Sequence, residues 1–178
     1  MRQPLTRHPS TGSPATTVEA EIKRSADKLS LHYFVTGDID QLVLPELSNP
    51  TRADELWKHS CFEAFIMPEQ GGEYTEFNLS PSGQWAAYHF KAHRSGMTSI
   101  AGASDPGVGT RGIGDRFELR AAFDISRIPN LGDDWKVGLS VILEAADGVR
   151  SYWAIRHPEN KLDFHHLDCF AMQLPSAG

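Results

Sequence analysis

Two blocks of the chain concentrate side chains able to do chemistry. The first runs from Leu56 to His89 and contains Trp57, His59, Glu63, Tyr74, Glu76, Asn78, Trp85 and His89. Carboxylates and an amide offer hydrogen bonds to vicinal hydroxyls, and indoles offer flat apolar platforms for the C–H face of a sugar ring. The mixture suits a polar, ring-shaped ligand. Solvated outer sheet faces also carry Glu, Asn and His routinely, so the tryptophans are what weight the reading towards binding. Glu63 and Glu76 admit two roles. They can form a glycosidase-like acid pair, or serve as plain hydrogen-bond acceptors, which needs no tuned pKa.

The second block is Tyr152-Trp153-Ala154-Ile155-Arg156-His157-Pro158, followed by Asp163-Phe164-His165-His166-Leu167-Asp168. On a strand, Asp163 and His165 share one face and His166 and Asp168 the other. Either pair can begin a metal site with His157 or a more distant ligand. The spacing matches no ligand signature, and a structural His–Asp hydrogen bond is the commoner outcome. Calcium through Asp and backbone carbonyls is equally unspecific. Neither a Gly-x-Ser-x-Gly elbow nor an HExxH helix nor a dinucleotide fingerprint occurs. Gly107-Val108-Gly109 lacks the helix and Lys-Ser/Thr that a phosphate loop needs.

The elements that position these groups read as strands. Val18 to Ile22, Leu29 to Val35, Leu56 to Ile66, Glu73 to Ser80, Gln84 to His93, Phe117 to Phe123, Val137 to Leu143, Ser151 to Arg156 and Asp163 to Leu174 alternate or run apolar between Gly, Pro and Asp-Gly turns. Ile39 to Leu44 reads as a further short strand. Leu56 to His93 should form an antiparallel meander, because its connections, Pro68 to Gly72 and Pro81 to Gly83, have turn chemistry. Its less apolar faces then combine Trp57, His59, Glu63, Tyr74, Glu76, Asn78, Trp85 and His89 on one surface. Ser95 to Gly114 carries six glycines and reads as a long loop, with one short strand near Met97 to Ala101, that either covers this surface or leaves it open. No helical period persists, so the expectation is an all-β, antiparallel sandwich in a single domain, residues 17–175, behind a flexible segment, residues 1–16.

Composition narrows the function classes. The chain has 178 residues, 40% of them hydrophobic, and a net charge of -6, which suits one folded acidic domain and argues against a phosphate-binding stripe for nucleic acid. Cys61 and Cys169 lie far apart; a single disulfide is open to them, but two buried free thiols are the blander reading. The basic N-terminal residues have no apolar run behind them, and no run is long enough to span a bilayer, so a cytoplasmic location without membrane association is expected.

Leu56-Trp57-Lys58-His59-Ser60-Cys61-Phe62-Glu63-Ala64-Phe65-Ile66 and Tyr74-Thr75-Glu76-Phe77-Asn78-Leu79-Ser80-Pro81-Ser82-Gly83-Gln84-Trp85 resemble DOMON-like domains related to family 9 carbohydrate-binding modules. The resemblance extends more weakly over residues 17 to 175. It implies a jelly-roll-like β-sandwich that binds sugar or haem and lacks catalysis of its own. Aromatics would clamp the sugar while amide and acidic groups meet its hydroxyls, roles open to Trp57, Glu63, Glu76, Asn78 and Trp153. With the histidines of both blocks, the candidate ligand-binding set is Trp57, His59, Glu63, Glu76, Asn78, Trp85, Trp153, His157 and His165. Haem-binding relatives use a Met and a His as axial ligands; Met67, Met97 and Met172 fall in no matching motif, so no cofactor is expected. The expected partner is a small carbohydrate-like ligand. A haem-binding domain, a protein-interaction scaffold capable of self-association, and a glycoside-processing enzyme using Glu63 and Glu76 are the alternatives.

Overall fold

The computed structural model describes residues 2–12, 16–159 and 161–176. Its strands are β1 (Gln3–Arg7), β2 (Thr16–Arg24), β3 (Lys28–Gly37), β4 (Cys61–Pro68), β5 (Tyr74–Leu79), β6 (Trp85–Phe90), β7 (Thr98–Ser99), β8 (Gly109–Ile113), β9 (Arg116–Asp124), β10 (Trp135–Glu144), β11 (Arg150–Ala154) and β12 (Met172–Leu174). Short 3-10 turns occur at Ile39–Gln41, Leu56–Lys58 and Leu167–Cys169, and no α-helix occurs among the described residues. The protein is an all-β antiparallel sandwich. A back sheet runs β2-β3-β9-β8 and a front sheet runs β7-β6-β5-β4-β10-β11. Strand β1 joins them, pairing with β11 at one edge and β2 at the other.

The period-two alternation of the back sheet explains the main core. Leu29, Leu31, Tyr33 and Val35 of β3, with Phe117, Leu119 and Phe123 of β9, point inward against Phe62, Ala64, Ile66, Phe77, Leu79 and Val137 of the front sheet. Their partners one residue on, such as His32, Glu118 and Arg120, face out and pair with one another. The front sheet is different. Strands β4 and β5 are buried at nearly every position, because their outward face carries a second apolar cluster that includes Phe65, Tyr74, Tyr88, Phe90, Phe164 and Phe170. Each such ring taken out of water contributes about 1.5–3 kcal/mol. Leu56 and Trp57 pack against one part of this cluster, and the segment from Asp163 to Phe170 supplies another. Gly138 permits the second contact. A Cβ there would come within 3.0 Å of the Cys169 carbonyl oxygen.

Several expectations are corrected. Residues 3 to 7 form β1 rather than part of a flexible lead-in. Their apolar content is low, but Leu5 is buried and the strand fills the gap between the sheets. The glycine-rich stretch contributes β8, which pairs with β9 through backbone groups that need no large side chains. Ile39 to Leu44 is a 3-10 turn followed by a single bridge from Leu42 to Ala145. Only Met172–Leu174 of the expected last strand is extended and paired; Asp163 to Phe170 turns on itself, with the His166 amide donating to the Asp163 carbonyl.

If β1 is structural, Leu5→Ala will lower unfolding stability by about 2–4 kcal/mol in urea titration, the usual cost of emptying a buried leucine site. A loss below about 0.5 kcal/mol would mean that the strand is dispensable.

Candidate functional site

The outward face of the front sheet is where the two chemistry-bearing blocks meet. Register places Glu63 opposite Asn78 and Phe65 opposite Glu76, so Glu63 and Glu76 are diagonal neighbours, a relation that brings residues within about 7–8 Å. Ser140 of β10 lies opposite Glu63 on the other side. Its hydroxyl donates to Glu63 Oε2 at 2.9 Å, and the Asn78 amide donates to Glu76 Oε1 at 2.7 Å. All four residues are buried. Asn78 Oδ1 is buried with no hydrogen-bond partner among the described residues.

A cleft of about 490 Å³ opens above these groups, lined by both carboxylates, by Trp57, Ile142, Tyr152 and Phe90, and by Arg94, Arg150, Asp163 and His165. Asp163 organises one wall. Its carboxylate accepts from Arg94 and His93 at 2.9 Å and pairs with Lys161 at 2.9 Å. Arg94 adopts a left-handed conformation, φ 52°, and its amide donates to the Tyr74 hydroxyl at 3.1 Å. A non-glycine residue held in this region costs energy and persists only where its surroundings determine it. The Tyr74 hydroxyl is 2.8 Å from His165 Nδ1. Accepting from Arg94, Tyr74 can donate to Nδ1, which leaves the Nε2 proton of a neutral His165 towards Glu76 Oε2, 3.8 Å away.

Burial dominates the electrostatics of this site. It raises Glu63 well above the ordinary carboxyl range, reinforced by the Glu76 carboxylate and opposed by the Ser140 hydrogen bond. Burial raises Glu76 likewise, against the Asn78 hydrogen bond and the Arg94 charge. Burial, then Arg94, push His165 down to about 4, so it is neutral at pH 7. For Asp163, burial acts upward, but hydrogen bonds from Lys161, Arg94 and His93 outweigh it and hold the carboxyl well below its usual range.

Of the nine candidate ligand-binding residues, Trp57, Glu63, Glu76 and His165 line the cleft, and Asn78 supports it through Glu76. The other four lie elsewhere. Trp85, like His89 outside that set, does not share a face with Glu63 and Glu76. The β5–β6 register sets Asn78 opposite Ala86 and Glu76 opposite Tyr88, which turns Trp85 into the main core against Phe123. Trp153 also faces the main core, its indole N–H donating to the Ser151 hydroxyl. His59 is exposed and bonds Glu144 at 2.8 Å. His157 sits beside His8 and bonds the Thr6 carbonyl. Sequence reasoning missed Tyr152, Phe90, Arg94 and Arg150. Tyr152 and Arg150 are one strand parity away from Trp153, a signal that was present. Arg94 follows the end of β6 and had none. The C-terminal segment, rather than the glycine-rich stretch, covers the face, and Met97 is the residue of that stretch that reaches the cleft.

The His and Asp pairs weighed as starts of a metal site do not converge into a metal cluster among the described residues. No group of three His, Cys, Asp or Glu side chains able to hold an ion occurs among the described residues. Haem does not fit either. Met97 and His165 line the same cleft, but His165 Nδ1 is engaged by Tyr74 and its Nε2 faces a carboxylate. Two buried carboxyls suit hydroxyl and cationic donors, not a porphyrin face. A depression on the outer face of the back sheet, lined by Glu21, Lys23, His32 and Arg120, is a weaker candidate because His32, Glu118 and Arg120 satisfy one another.

Neither a family model nor a curated relative matches the sequence. Solved structures do match the fold. A protein from Bacteroides uniformis to which carbohydrate binding has been ascribed superposes with a TM-score of 0.65 at 15% identity, covering 95% of this chain and 83% of its own. A carbohydrate-binding module of family 9 from Caldicellulosiruptor kristjanssonii, in complex with cellotriose, gives 0.55 at 10% identity, covering 90% and 74%. These likenesses confirm the expected sandwich.

The buried carboxyls predict a pH signature. Glu63 and Glu76 have raised folded-state pKa values, so the native state holds protons that the unfolded chain has released. Their stabilisation is complete below the ordinary carboxyl range and is lost as pH rises through the raised values. Melting temperature will therefore fall as pH rises from the ordinary carboxyl range to these raised values, and Glu63→Gln will flatten that fall. Asp163 runs the opposite way, its contribution being lost as pH drops through its depressed value. Parallel profiles for wild type and Glu63→Gln would contradict this account.

Proposed function

We propose that the front-face cleft binds a sugar-like ligand non-covalently. The observation that carries the reading is the arrangement of acceptors beside an apolar floor. Glu63, Glu76 and Asn78 form a buried polar cluster at one end of a surface continued by Ile142 and Tyr152 and walled by Trp57. A sugar ring presents the complementary pair of surfaces, hydroxyls at its rim and C–H groups on its face. The acceptors stand ready in a buried setting, where each hydrogen bond gained satisfies a group that is otherwise costly to leave unmade. The fold likeness to a family 9 module in complex with cellotriose supports the same ligand class.

A second reading follows from the raised carboxyls. Paired titratable groups shifted by burial in a cleft also serve acid–base catalysis, and Glu63 and Glu76 are diagonal neighbours lining one cleft. Turnover of a chromogenic glycoside, abolished in Glu63→Gln and Glu76→Gln, would favour the enzyme; binding without turnover favours the module.

Calorimetry on mono- and disaccharides, guided by a glycan array, is the direct check on binding. Trp57→Ala and Tyr152→Ala should each weaken the best ligand by about tenfold or more, roughly 1.4 kcal/mol. His32→Ala, on the outer back sheet, should leave affinity unchanged. Absence of binding across the panel, or equal affinity in all three variants, would sink the proposal.

A further inference from the structure

Arg150 is the cleft residue that the neutral-sugar reading leaves without a role. It lines the cleft from β11, partly buried, and its Nε is enclosed without a hydrogen-bond partner among the described residues. Its cross-strand neighbour is Glu144, but that carboxylate is bonded to His59 at 2.8 Å. Among the described residues the Arg150 guanidinium has no ion-pair partner. The other cations near the cleft are engaged: Lys58 with Glu55, and Arg94 with Asp163. An arginine that lines a cleft and forms no ion pair among the described residues is a ready receptor for a planar or tetrahedral oxyanion.

Its position along the sheet sets what else the ligand must contain. Glu63 is aligned with Ser140 and Arg150 with Glu144. The two rows are therefore four residues apart along β10, about 13 Å at the usual rise of a strand. Between them lie Ile142 and Tyr152, paired with each other. The cleft thus runs from hydroxyl acceptors, across an apolar floor, to the long side chain of Arg150, which has no ion-pair partner among the described residues.

Resting on the sugar-binding reading above, we infer that the ligand is an acidic sugar, a ring whose hydroxyls meet Glu63 and Glu76 and whose carboxylate or phosphate pairs with Arg150. The charge balance agrees. Two cations, Arg94 and Lys161, converge on the single carboxylate of Asp163. The raised pKa values of Glu63 and Glu76 further reduce the negative charge that the cleft presents near neutral pH.

Calorimetry on the full chain with matched probes tests this: glucose against glucuronate and glucose 6-phosphate, and galactose against galacturonate. The expected result is at least tenfold tighter binding of an acidic member than of its neutral partner. Arg150→Met should remove that preference, bringing the acidic member's affinity down to that of its neutral partner. Arg150→Gln serves the same purpose if the methionine variant does not fold. Preference for the uronates alone identifies a carboxylate as the anion, and preference for the phosphate alone identifies a phosphate ester. Neutral sugars binding as tightly as acidic ones would overturn the inference and leave sugar binding standing. Failure of every probe would overturn both. A preference that survives loss of the guanidinium would overturn the role of Arg150.

Discussion

The cleft depends on how one buried carboxylate is held. Asp163 is almost fully enclosed, yet it stays ionised because Arg94 and Lys161 pair with it and His93 hydrogen-bonds it. Its backbone and side chain also shape the covering segment. Asp163 Oδ1 accepts from the His165 amide, and its carbonyl accepts from the His166 amide and the Cys169 thiol. One residue therefore fixes the turn over the front sheet, the loop after β6 that carries Arg94, and the position of His165. Removing one partner of a buried, multiply bonded ion leaves the others uncompensated, so the wall stands or falls as a unit.

That cover changes the chemistry beneath it. An antiparallel sheet usually has one wet face, on which Glu63, Glu76 and Asn78 would be ordinary solvated residues. Here the outward face is dry enough to raise both carboxyls, and an amide oxygen is enclosed without a partner among the described residues. Such groups are costly to leave unsatisfied. A ligand that brings hydroxyl donors would satisfy them, while Tyr152 and Trp57 cover its apolar face. The same environment is what keeps a catalytic reading in play.

The sandwich and the β4–β5 pair were legible because alternation is unambiguous where one face is charged. Glu63 and Glu76 fell on one surface from parity alone. Parity failed at β6, where Trp85 and Ala87 on one side and Ala86, Tyr88 and Phe90 on the other are equally apolar. A sheet buried on both faces erases the signal that identifies its inner side. The same ambiguity sent the reading to Trp153 instead of Tyr152. Strand β1 was hidden because five residues with one buried leucine carry too little pattern, and β8 because its glycine-rich composition suggests a loop. The Asp163 wall was out of reach for another reason: it joins residues 93–94 to 161–169, and no local pattern encodes that contact.

Backbone NMR titration of the isotope-labelled protein with the tightest-binding sugar tests the central claim most directly. The account predicts amide shifts concentrated at Glu63, Glu76, Arg94, Ile142, Arg150, Tyr152 and Asp163 to His165, with the back sheet silent. Shifts centred on His32, Glu118 and Arg120, or no localised shifts at saturating sugar, would contradict it.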